Sequence, residues 1–496
     1  MKKRNFPFYP LIFTAFPTMA LIANNTFQIR FTVIFRPLIA SSLLGSFLFV
    51  LAYFIYRKDK HKAALMTGVM VLLFFSYGHL YTFMKSVSFL NVLGRHRYLI
   101  SFYGLIWFGI LLITIRKKIK PDFSKLMNIL SIILIALPLL QIGGYYVSEA
   151  FTNWQLNPSQ ETGTEAFSEL GYTPDVYYII LDSYSRPDSL MENYGWDVTD
   201  FIDEMEELGF YYASESHSNY NNTFASLSTS MNLQFITDIL EESDIESNSA
   251  AHRDLIIHNE VRSFFESLDY ETIAFSTGYK WSEMDDADFY YDVKPSTLFY
   301  DITPFESLLV KNSIVYPFQE YFHGVFNWDF EQNVDSPHEE HIQIQINILE
   351  TLPEIAENKN PTFTFAHLII PHIPYVFDVD GSILDDPGYN SGEGGYAINE
   401  TYELDGYEKA LQFLNQQMLS ICRQIIENSE SEPIIIIQSD HGWKDDHRYK
   451  ILNLYYFPDG DYGSLYPSIS PVNSFRVILS EYFSMDYKIL EDKIYE

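Results

Sequence analysis

Acidic and imidazole side chains follow two strongly apolar segments of this sequence. VYYIIL at 176–181 is followed by Asp182, and PIIIIQ at 433–438 is followed closely by Asp440 and His441. Ligands of an open α/β sheet collect outside the carboxyl ends of its strands, so we expect these three side chains to meet at one edge. Two carboxylates and an imidazole suit a divalent metal, although an Asp after a strand can also be a simple turn or cap residue.

A hydroxyl group that could act with such a metal lies in the segment SNYNNTFASLSTSMN at 218–232, where Thr223 follows an Asn-rich turn and opens a predicted helix. Free backbone N–H groups and the positive end of the helix dipole favour phosphate oxygens at that position. A nucleophile that attacks phosphorus would belong there. The alternative is that Thr223 is an ordinary helix cap.

Two histidines follow another apolar strand in FAHLIIPHIPYVFD, where His367 and His372 are separated by a short proline-containing loop. We expect the prolines to fix an extended loop that presents His372. A histidine packed in the core is the alternative for both positions.

Short apolar runs alternate with helical patterns from Asp175 to the end of the chain, which is typical of an α/β domain. Continuous hydrophobicity in VYYIIL and IIIIQ favours parallel strands that are covered by helices on both faces. The predicted fold class is therefore an N-terminal α-helical membrane domain plus an α/β domain with a largely parallel sheet. The predicted domains are a membrane domain at 1–147, a linker at 148–174 and a catalytic domain at 175–496.

The first 150 residues carry apolar stretches that predict five transmembrane helices. The stretches run over 9–23, 31–56, 64–83, 98–115 and 126–147, and the first is the shortest. The densest groups of Lys and Arg follow the start of the chain, the second stretch and the fourth. Because such groups stay in the cytoplasm, an odd number of spans puts everything after Val147 outside it.

Charge divides the chain sharply. Residues 1–150 hold 17 basic and 3 acidic residues, whereas residues 151–496 hold 15 basic and 62 acidic ones, a net charge of −47. This split excludes a nucleic-acid binder, because a polyanion would be repelled. Adaptation to high salt is the first explanation, ahead of a surface rich in divalent cations or a cationic substrate. The single cysteine, Cys422, excludes an internal disulfide and lies in an apolar helical pattern.

The ordered segments ILDSYSRPD, NYNNTFASLSTSMN, HLIIPHIPY and IIQSDHG resemble the sulfatase-like branch of the alkaline phosphatase superfamily. The plan of membrane spans followed by an outward-facing domain is similar to that of lipoteichoic acid synthases and phosphoethanolamine transferases. The resemblance implies an alkaline-phosphatase-like sheet. It also implies that Asp182, Thr223, Asp440 and His441 bind one divalent metal, Mn or Zn, and that Thr223 is the nucleophile.

Further roles follow from the same resemblance. His372 would contact the substrate phosphate or the leaving group as a general acid or base. His367, Lys280 and His447 are additional candidates for substrate binding, and a second metal is left open, with His447 as one ligand. A surface loop is the alternative for Lys280 and a solvated turn for His447. Sulfatase activity is argued against, because Thr223 replaces the Cys or Ser of those enzymes and the Pro and Arg of their motif are missing.

These features predict a membrane-anchored, metal-dependent phosphotransferase or phosphodiesterase of the cell membrane with an extracytoplasmic catalytic domain. Its partners would be a membrane lipid or lipid-linked donor and an envelope glycan or polymer acceptor, with no nucleic acid. A plain phosphodiester or phosphomonoester hydrolase and a catalytically inactive envelope-assembly scaffold are the alternatives.

The salt hypothesis makes the first testable prediction. If the acidity is an adaptation to salt, the free energy of unfolding of residues 151–496 rises as the repulsion among their carboxylates is screened. Denaturant unfolding across a salt series measures this, and a stability that is equal in dilute and molar salt would remove the hypothesis.

Overall fold

The structure is a computed structural model of the chain, and it divides into two compact units. The described residues are 6–26, 31–87, 93–156, 173–240, 249–293, 304–318, 337–384, 389–390, 395–396, 400–444 and 448–495. The first unit, here the membrane unit, comprises Met1–Ser148, Pro295–Pro337 and Ser391–Gly394. The second, here the acidic unit, comprises Glu149–Lys294, His338–Asn390 and Gly395–Glu496.

Long apolar helices make up most of the membrane unit. They are α1 (Tyr9–Ala23), α2 (Phe35–Ile55), α3 (Lys60–Ser86), α4 (His96–Arg116) and α5 (Pro121–Leu156), with a 3₁₀ turn at Phe31–Ile34. Among the described residues, the four helices α2 to α5 are long and apolar enough to cross a membrane, and α1 is an apolar helix of 15 residues. The predicted first span is thus shorter than the roughly 20 residues that a bilayer requires. α5 continues to Leu156, so the start of the predicted linker is helical.

A helix from much later in the sequence also belongs to the membrane unit. It is α12 (Pro304–Lys311), which lies inside the range predicted as catalytic domain. Phe305 and Leu309 are buried in one apolar cluster with Ile22 of α1. Glu306 forms an ion pair with Arg36, whose Nε donates to Oε1 at 2.6 Å. Sequence periodicity does not reveal this association, because it depends on packing between distant segments.

The segment after α12 approaches the backbone of α3. Gly78 N donates to Asn312 O at 3.0 Å, and Ile314 N donates to Phe74 O at 2.8 Å. A Cβ atom at Gly78 would overlap the Asn312 Cα and the Lys311 carbonyl oxygen. Glycine is therefore required at position 78 by the close approach of two backbones.

A seven-stranded sheet forms the centre of the acidic unit, in the order β2-β9-β8-β1-β5-β3-β4. The strands of the unit are β1 (Val176–Leu181), β2 (Tyr211–Tyr212), β3 (Glu271–Phe275), β4 (Phe289–Tyr291), β5 (Thr362–Leu368), β6 (Tyr389–Asn390), β7 (Gly395–Tyr396), β8 (Ile434–Gln438) and β9 (Asn453–Tyr456). The strands from β8 to β4 in that order run parallel, whereas β9 and β2 are antiparallel to their neighbours. The predicted largely parallel sheet is confirmed.

Helices cover both faces of this sheet. They are α6 (Pro187–Tyr194), α7 (Thr199–Glu207), α8 (Thr223–Met231), α9 (Ile236–Ile239), α10 (Ser249–Ile257), α11 (Glu260–Ser267), α13 (Pro337–Thr351), α14 (Glu400–Asn428) and α15 (Pro471–Tyr482), with 3₁₀ turns at Lys280–Ser282 and Leu352–Glu357. Tyr177 and Ile179 of β1 share a buried cluster with Leu414 of α14. Tyr178 points to the opposite face, where its ring centroid lies 5.0 Å from that of Phe475 in α15. Burial of both faces explains the continuous hydrophobicity of these strands.

The close approach at Gly78 is testable by adding one methyl group. Gly78→Ala is expected to lower the stability of the full chain in detergent by about 2 kcal/mol or more, because neither backbone can move freely to accommodate it. Gly104→Ala in α4 is the matched control, since a Cβ atom at that position would have no other atom within 4 Å and little change is expected. Equal thermal unfolding of the two variants would contradict the packing of α12 and its following segment against α3.

Candidate metal centre

The predicted metal ligands follow adjacent strands of the sheet. β1 lies between β5 and β8, and Ile180 of β1 is in register with both His367 and Gln438. Asp182 and Asp440 each lie two residues or fewer beyond the end of their strand, so the parallel arrangement brings them to the same edge. The sheet therefore positions the carboxylates as the sequence predicted.

Asp182, Asp440 and His441 form a compact group. One ligand atom from each lies within 4.8 Å of the other two, and the three residues are 4%, 1% and 3% exposed. Thr223 joins this group, because its Oγ1 lies 3.4 Å from Nε2 of His441. All four residues that the resemblance implied as metal ligands thus converge in the structure.

Ser183 links the two carboxylates. Its N–H donates to Oδ1 of Asp440 at 3.0 Å, and its hydroxyl donates to Oδ1 of Asp182 at 2.9 Å. Ser183 has a positive φ of 67°, a backbone conformation that costs energy for a residue with a side chain. Tyr407 stabilises this turn, since its hydroxyl donates to the carbonyl oxygen of Ser183 at 2.8 Å. The strained turn directs both carboxylates toward one point.

The hydrogen bonds of His441 leave one ring nitrogen directed at the group. Nδ1 lies 2.8 Å from the carbonyl oxygen of Gly442, which can only accept, so Nδ1 carries the proton in the neutral ring and Nε2 has the lone pair. Nε2 lies 3.4 Å from Oδ2 of Asp440, a buried oxygen with no hydrogen-bond partner among the described residues. A divalent cation would satisfy both atoms. This chemistry, with two carboxylates, one imidazole and a hydroxyl, fits Zn²⁺ or Mn²⁺.

His367 contacts the carboxylate of Asp182. It is 1% exposed, and its Nε2 lies 3.2 Å from Oδ2 of Asp182. Burial raises the pKa of Asp182, but the positive fields of His372, His367 and His441, with the hydrogen bond from His367, outweigh it and hold the pKa below its ordinary value. Asp182 is thus an ionised carboxylate. The position of His367 favours orienting this ligand over the predicted contact with substrate.

His372 lies in the loop after β5 and is half-buried. Its Nδ1 lies 2.7 Å from the carbonyl oxygen of Ile373, so the proton of the neutral ring is on Nδ1 and Nε2 has the lone pair. The loop follows β5, whose His367 places Nε2 3.2 Å from Oδ2 of Asp182. An accessible ring nitrogen near the ligands is what a proton-transfer residue requires.

The start of α8 decides whether Thr223 is a helix cap or a first-turn residue. Asn222 is the N-cap, and its side chain accepts a hydrogen bond from Ala225 N at 3.0 Å. Thr223 is the first residue of the helix, and its hydroxyl is directed at His441. The hydroxyl is therefore placed for chemistry at a helix N-terminus.

The remaining predicted residues have different outcomes. Lys280 begins the 3₁₀ turn Lys280–Ser282, but its side chain lies outside the described part of the chain, as does all of His447. The loop that carries Lys280 does reach the site. Trp281 is buried in this loop, and its ring centroid lies 4.1 Å from that of Phe224, the neighbour of Thr223.

Sequence reasoning missed Arg448, which contacts a predicted metal ligand, and two buried histidines of α13. Arg448 places Nη2 3.3 Å from Nε2 of His441. The sequence feature that could have identified it is a basic residue soon after the Asp-His-Gly turn, in a unit where basic residues are rare. His338 and His341 lie one turn apart on α13, and each has a buried ring nitrogen that no described residue meets with a hydrogen bond. Burial, with the fields of His372 and His338, lowers the pKa of His341 to about 3, although Asp182 raises it. The sequence feature that could have identified the two histidines is their spacing in HEEH. That spacing alone does not distinguish a buried pair of histidines from a solvent-exposed pair.

Comparison with known proteins finds no matching protein-family model and no matching curated sequence. Among solved structures, the chain is similar to lipooligosaccharide phosphoethanolamine transferase A from Neisseria meningitidis, with 11% identity, a TM-score of 0.41 and coverage of 96% of this chain and 94% of that one. It is also similar to the periplasmic domain of EcEptC from Escherichia coli in complex with Zn (12% identity, TM-score 0.39, covering 64% and 84%). Lipoteichoic acid synthase LtaP from Listeria monocytogenes is similar at 12% identity and a TM-score of 0.39, covering 67% and 77%.

The contact between His367 and Asp182 generates a prediction about metal affinity. Replacing His367 by Phe keeps a buried ring but removes the hydrogen bond that orients the carboxylate, and we expect metal affinity to fall by about 10- to 100-fold. Competition with a chromophoric chelator measures the affinity of the full chain for Zn²⁺. His258→Phe, at a histidine bound to Asp254 and Asp286, is the control. Unchanged affinity in His367→Phe would contradict a role in orienting Asp182.

Proposed function

We propose that this protein is a membrane-anchored, metal-dependent phosphotransferase or phosphodiesterase that acts through a phospho-threonine intermediate. The observation that carries the proposal is the convergence of Asp182, Asp440 and His441 with the hydroxyl of Thr223. A scaffold would have no need for a nucleophilic hydroxyl against two buried carboxylates and an imidazole. These four residues would hold one divalent metal, Zn²⁺ or Mn²⁺.

Thr223 attacks the phosphorus of a phosphodiester in the first step. The bond between its Oγ and phosphorus forms, and the bond from phosphorus to the leaving oxygen breaks. When bound, the metal lowers the pKa of the threonine hydroxyl and stabilises the developing negative charge. The hydroxyl proton passes to solvent. Protonated His372 donates a proton from Nε2 to the leaving oxygen, so an alcohol departs.

The second step transfers the phosphoryl group. Neutral His372 accepts a proton from the acceptor hydroxyl, which attacks phosphorus and displaces Thr223. Thr223 recovers a proton from solvent, and His372 returns to its protonated form. The accepting oxygen comes from an alcohol in a transferase and from water in a hydrolase.

The membrane unit supports a lipid-borne substrate. A diffusible substrate gives no reason for helices that can cross a membrane, whereas a lipid or lipid-linked donor is met at the bilayer surface. The basic segments at 57–62 and 116–120 favour an extracytoplasmic acidic unit. Envelope lipid head groups, glycans or polymers are accordingly the proposed substrate class, and the localisation is the cell membrane.

A plain phosphodiester hydrolase is the rival within the same chemistry. It would use the same ligands and nucleophile, and water would resolve the intermediate. Incubating the purified chain with labelled lipid donor and an envelope acceptor separates the two, because a transferase moves the label to the acceptor and a hydrolase releases it.

The nucleophile generates the next prediction. Thr223→Ala is expected to lower cleavage of bis-nitrophenyl phosphate by about 10³-fold or more, because the variant lacks the hydroxyl that forms the proposed covalent intermediate. Thr223→Ser should retain part of the activity, since it keeps the hydroxyl. Thr199→Ala is the control, because Thr199 is also the first residue of a helix but is exposed on α7.

Release of nitrophenol by the metal-loaded full chain measures these rates, and mass spectrometry of quenched reactions tests for phosphate on Thr223. Wild-type activity in Thr223→Ala would contradict the proposed nucleophile. Absence of metal binding and of cleavage across metals and salt concentrations would favour the inactive scaffold.

A further inference from the structure

Arg448 lies where two elements of the candidate metal centre meet. Gly442 N donates to the carbonyl oxygen of Arg448 at 2.5 Å, which brings the chain back over the turn that carries Asp440 and His441. The next residue, Tyr449, accepts from Ser218 N at 2.7 Å, and Ser218 begins the segment that leads to Thr223. The backbone of Arg448 is thus held between the metal ligands and the nucleophile.

The guanidinium group of Arg448 is directed into the centre. Its Nη2 lies 3.3 Å from Nε2 and 3.5 Å from Nδ1 of His441. Its Nε is buried and has no hydrogen-bond partner among the residues that the structure describes. A guanidinium carries five N–H donors in a fixed plane, and a buried donor without an acceptor is costly. This group therefore has unused capacity to bind an anion.

Nearby basic residues of the same loops form ion pairs with carboxylates. Arg186 is paired with Asp188, Lys450 with Asp188 and Lys444 with Glu403. Arg448 has no carboxylate partner within the described residues, although residues 151–496 hold 62 acidic side chains. Among the described residues of this acidic unit, Arg448 is a cation without a carboxylate partner that contacts the ring of His441.

The charge of the centre explains what Arg448 could bind. A divalent metal and the two carboxylates of Asp182 and Asp440 would together have a net charge of about zero, so they would offset little of the charge of a bound phosphate. A phosphodiester carries one negative charge, and a phosphomonoester on threonine carries nearly two. The net charge of −47 on residues 151–496 repels both. An arginine that can hold two oxygens at once offsets that repulsion.

We propose that Arg448 is the phosphate-binding residue of this centre and holds the non-bridging oxygens of the phosphoryl group that reacts with Thr223. The inference rests on the proposed function and adds the residue that recognises the anion. The structural alternative is that Arg448 only holds the ring of His441 in place. If Arg448 binds phosphate, the affinity for phosphate depends on it. If Arg448 only positions His441, the affinity for the metal depends on it.

Inorganic phosphate is the probe that separates them. Its affinity for the metal-loaded full chain in detergent is measured by isothermal titration, whether or not the protein cleaves a diester, and metal content is measured on the same samples. Arg448→Gln is expected to weaken phosphate binding by about tenfold or more with bound metal unchanged, and Arg448→Lys to restore part of it. Lys444→Gln removes a charge from the same loop and should leave phosphate affinity unchanged, because Lys444 is paired with Glu403.

Phosphate affinity in Arg448→Gln within twofold of wild type would overturn the inference, and so would a wild-type protein that binds no phosphate. A loss of metal that accounts for the loss of phosphate would also overturn it, in favour of a role in positioning His441. If phosphate binding depends on Arg448 but no diester is cleaved, the inference stands and the proposed function fails. If diesters are cleaved and phosphate affinity does not depend on Arg448, the proposed function stands and the inference about Arg448 fails.

Discussion

Two buried carboxylates, Asp182 and Asp440, meet beyond the ends of adjacent parallel strands, and the organisation of the candidate centre follows from that constraint. Buried anions repel each other and lose hydration, so they need positive charge or hydrogen-bond donors nearby. Ser183 supplies donors to both carboxylates and His367 approaches Asp182, yet Oδ2 of Asp440 has no hydrogen-bond partner in the described part of the chain. A divalent cation completes this set of interactions with the least rearrangement.

The surrounding structure fixes the geometry of that pair. The sheet sets the spacing of the strand ends, and the turn at Ser183 holds a backbone conformation that Tyr407 stabilises from α14. α8 directs the hydroxyl of Thr223 at His441, with Asn222 as its cap. Each of these elements brings one functional group to the centre. The fold therefore holds these groups in fixed positions relative to one another, as the proposed chemistry requires.

Much of this arrangement was predictable from sequence, because it depends on local patterns. VYYIIL and IIIIQ are the buried central strands that their continuous hydrophobicity indicated, and the residues directly after them converge. The features that were missed depend on contacts between distant segments. Arg448 reaches His441 because a loop folds back, and α12 joins the membrane helices through Arg36 and the backbone at Gly78. No periodicity in the sequence records such pairings.

The central claim is that one divalent metal is held by Asp182, Asp440, His441 and Thr223. X-ray absorption at the zinc edge of the Zn²⁺-loaded full chain tests it most directly, because the method distinguishes imidazole from oxygen ligands. The account predicts a single imidazole and otherwise oxygen ligands at about 2.0–2.2 Å. A spectrum with two or more imidazoles would contradict this claim. It would indicate instead that the metal binds the buried histidines His338 and His341 of α13.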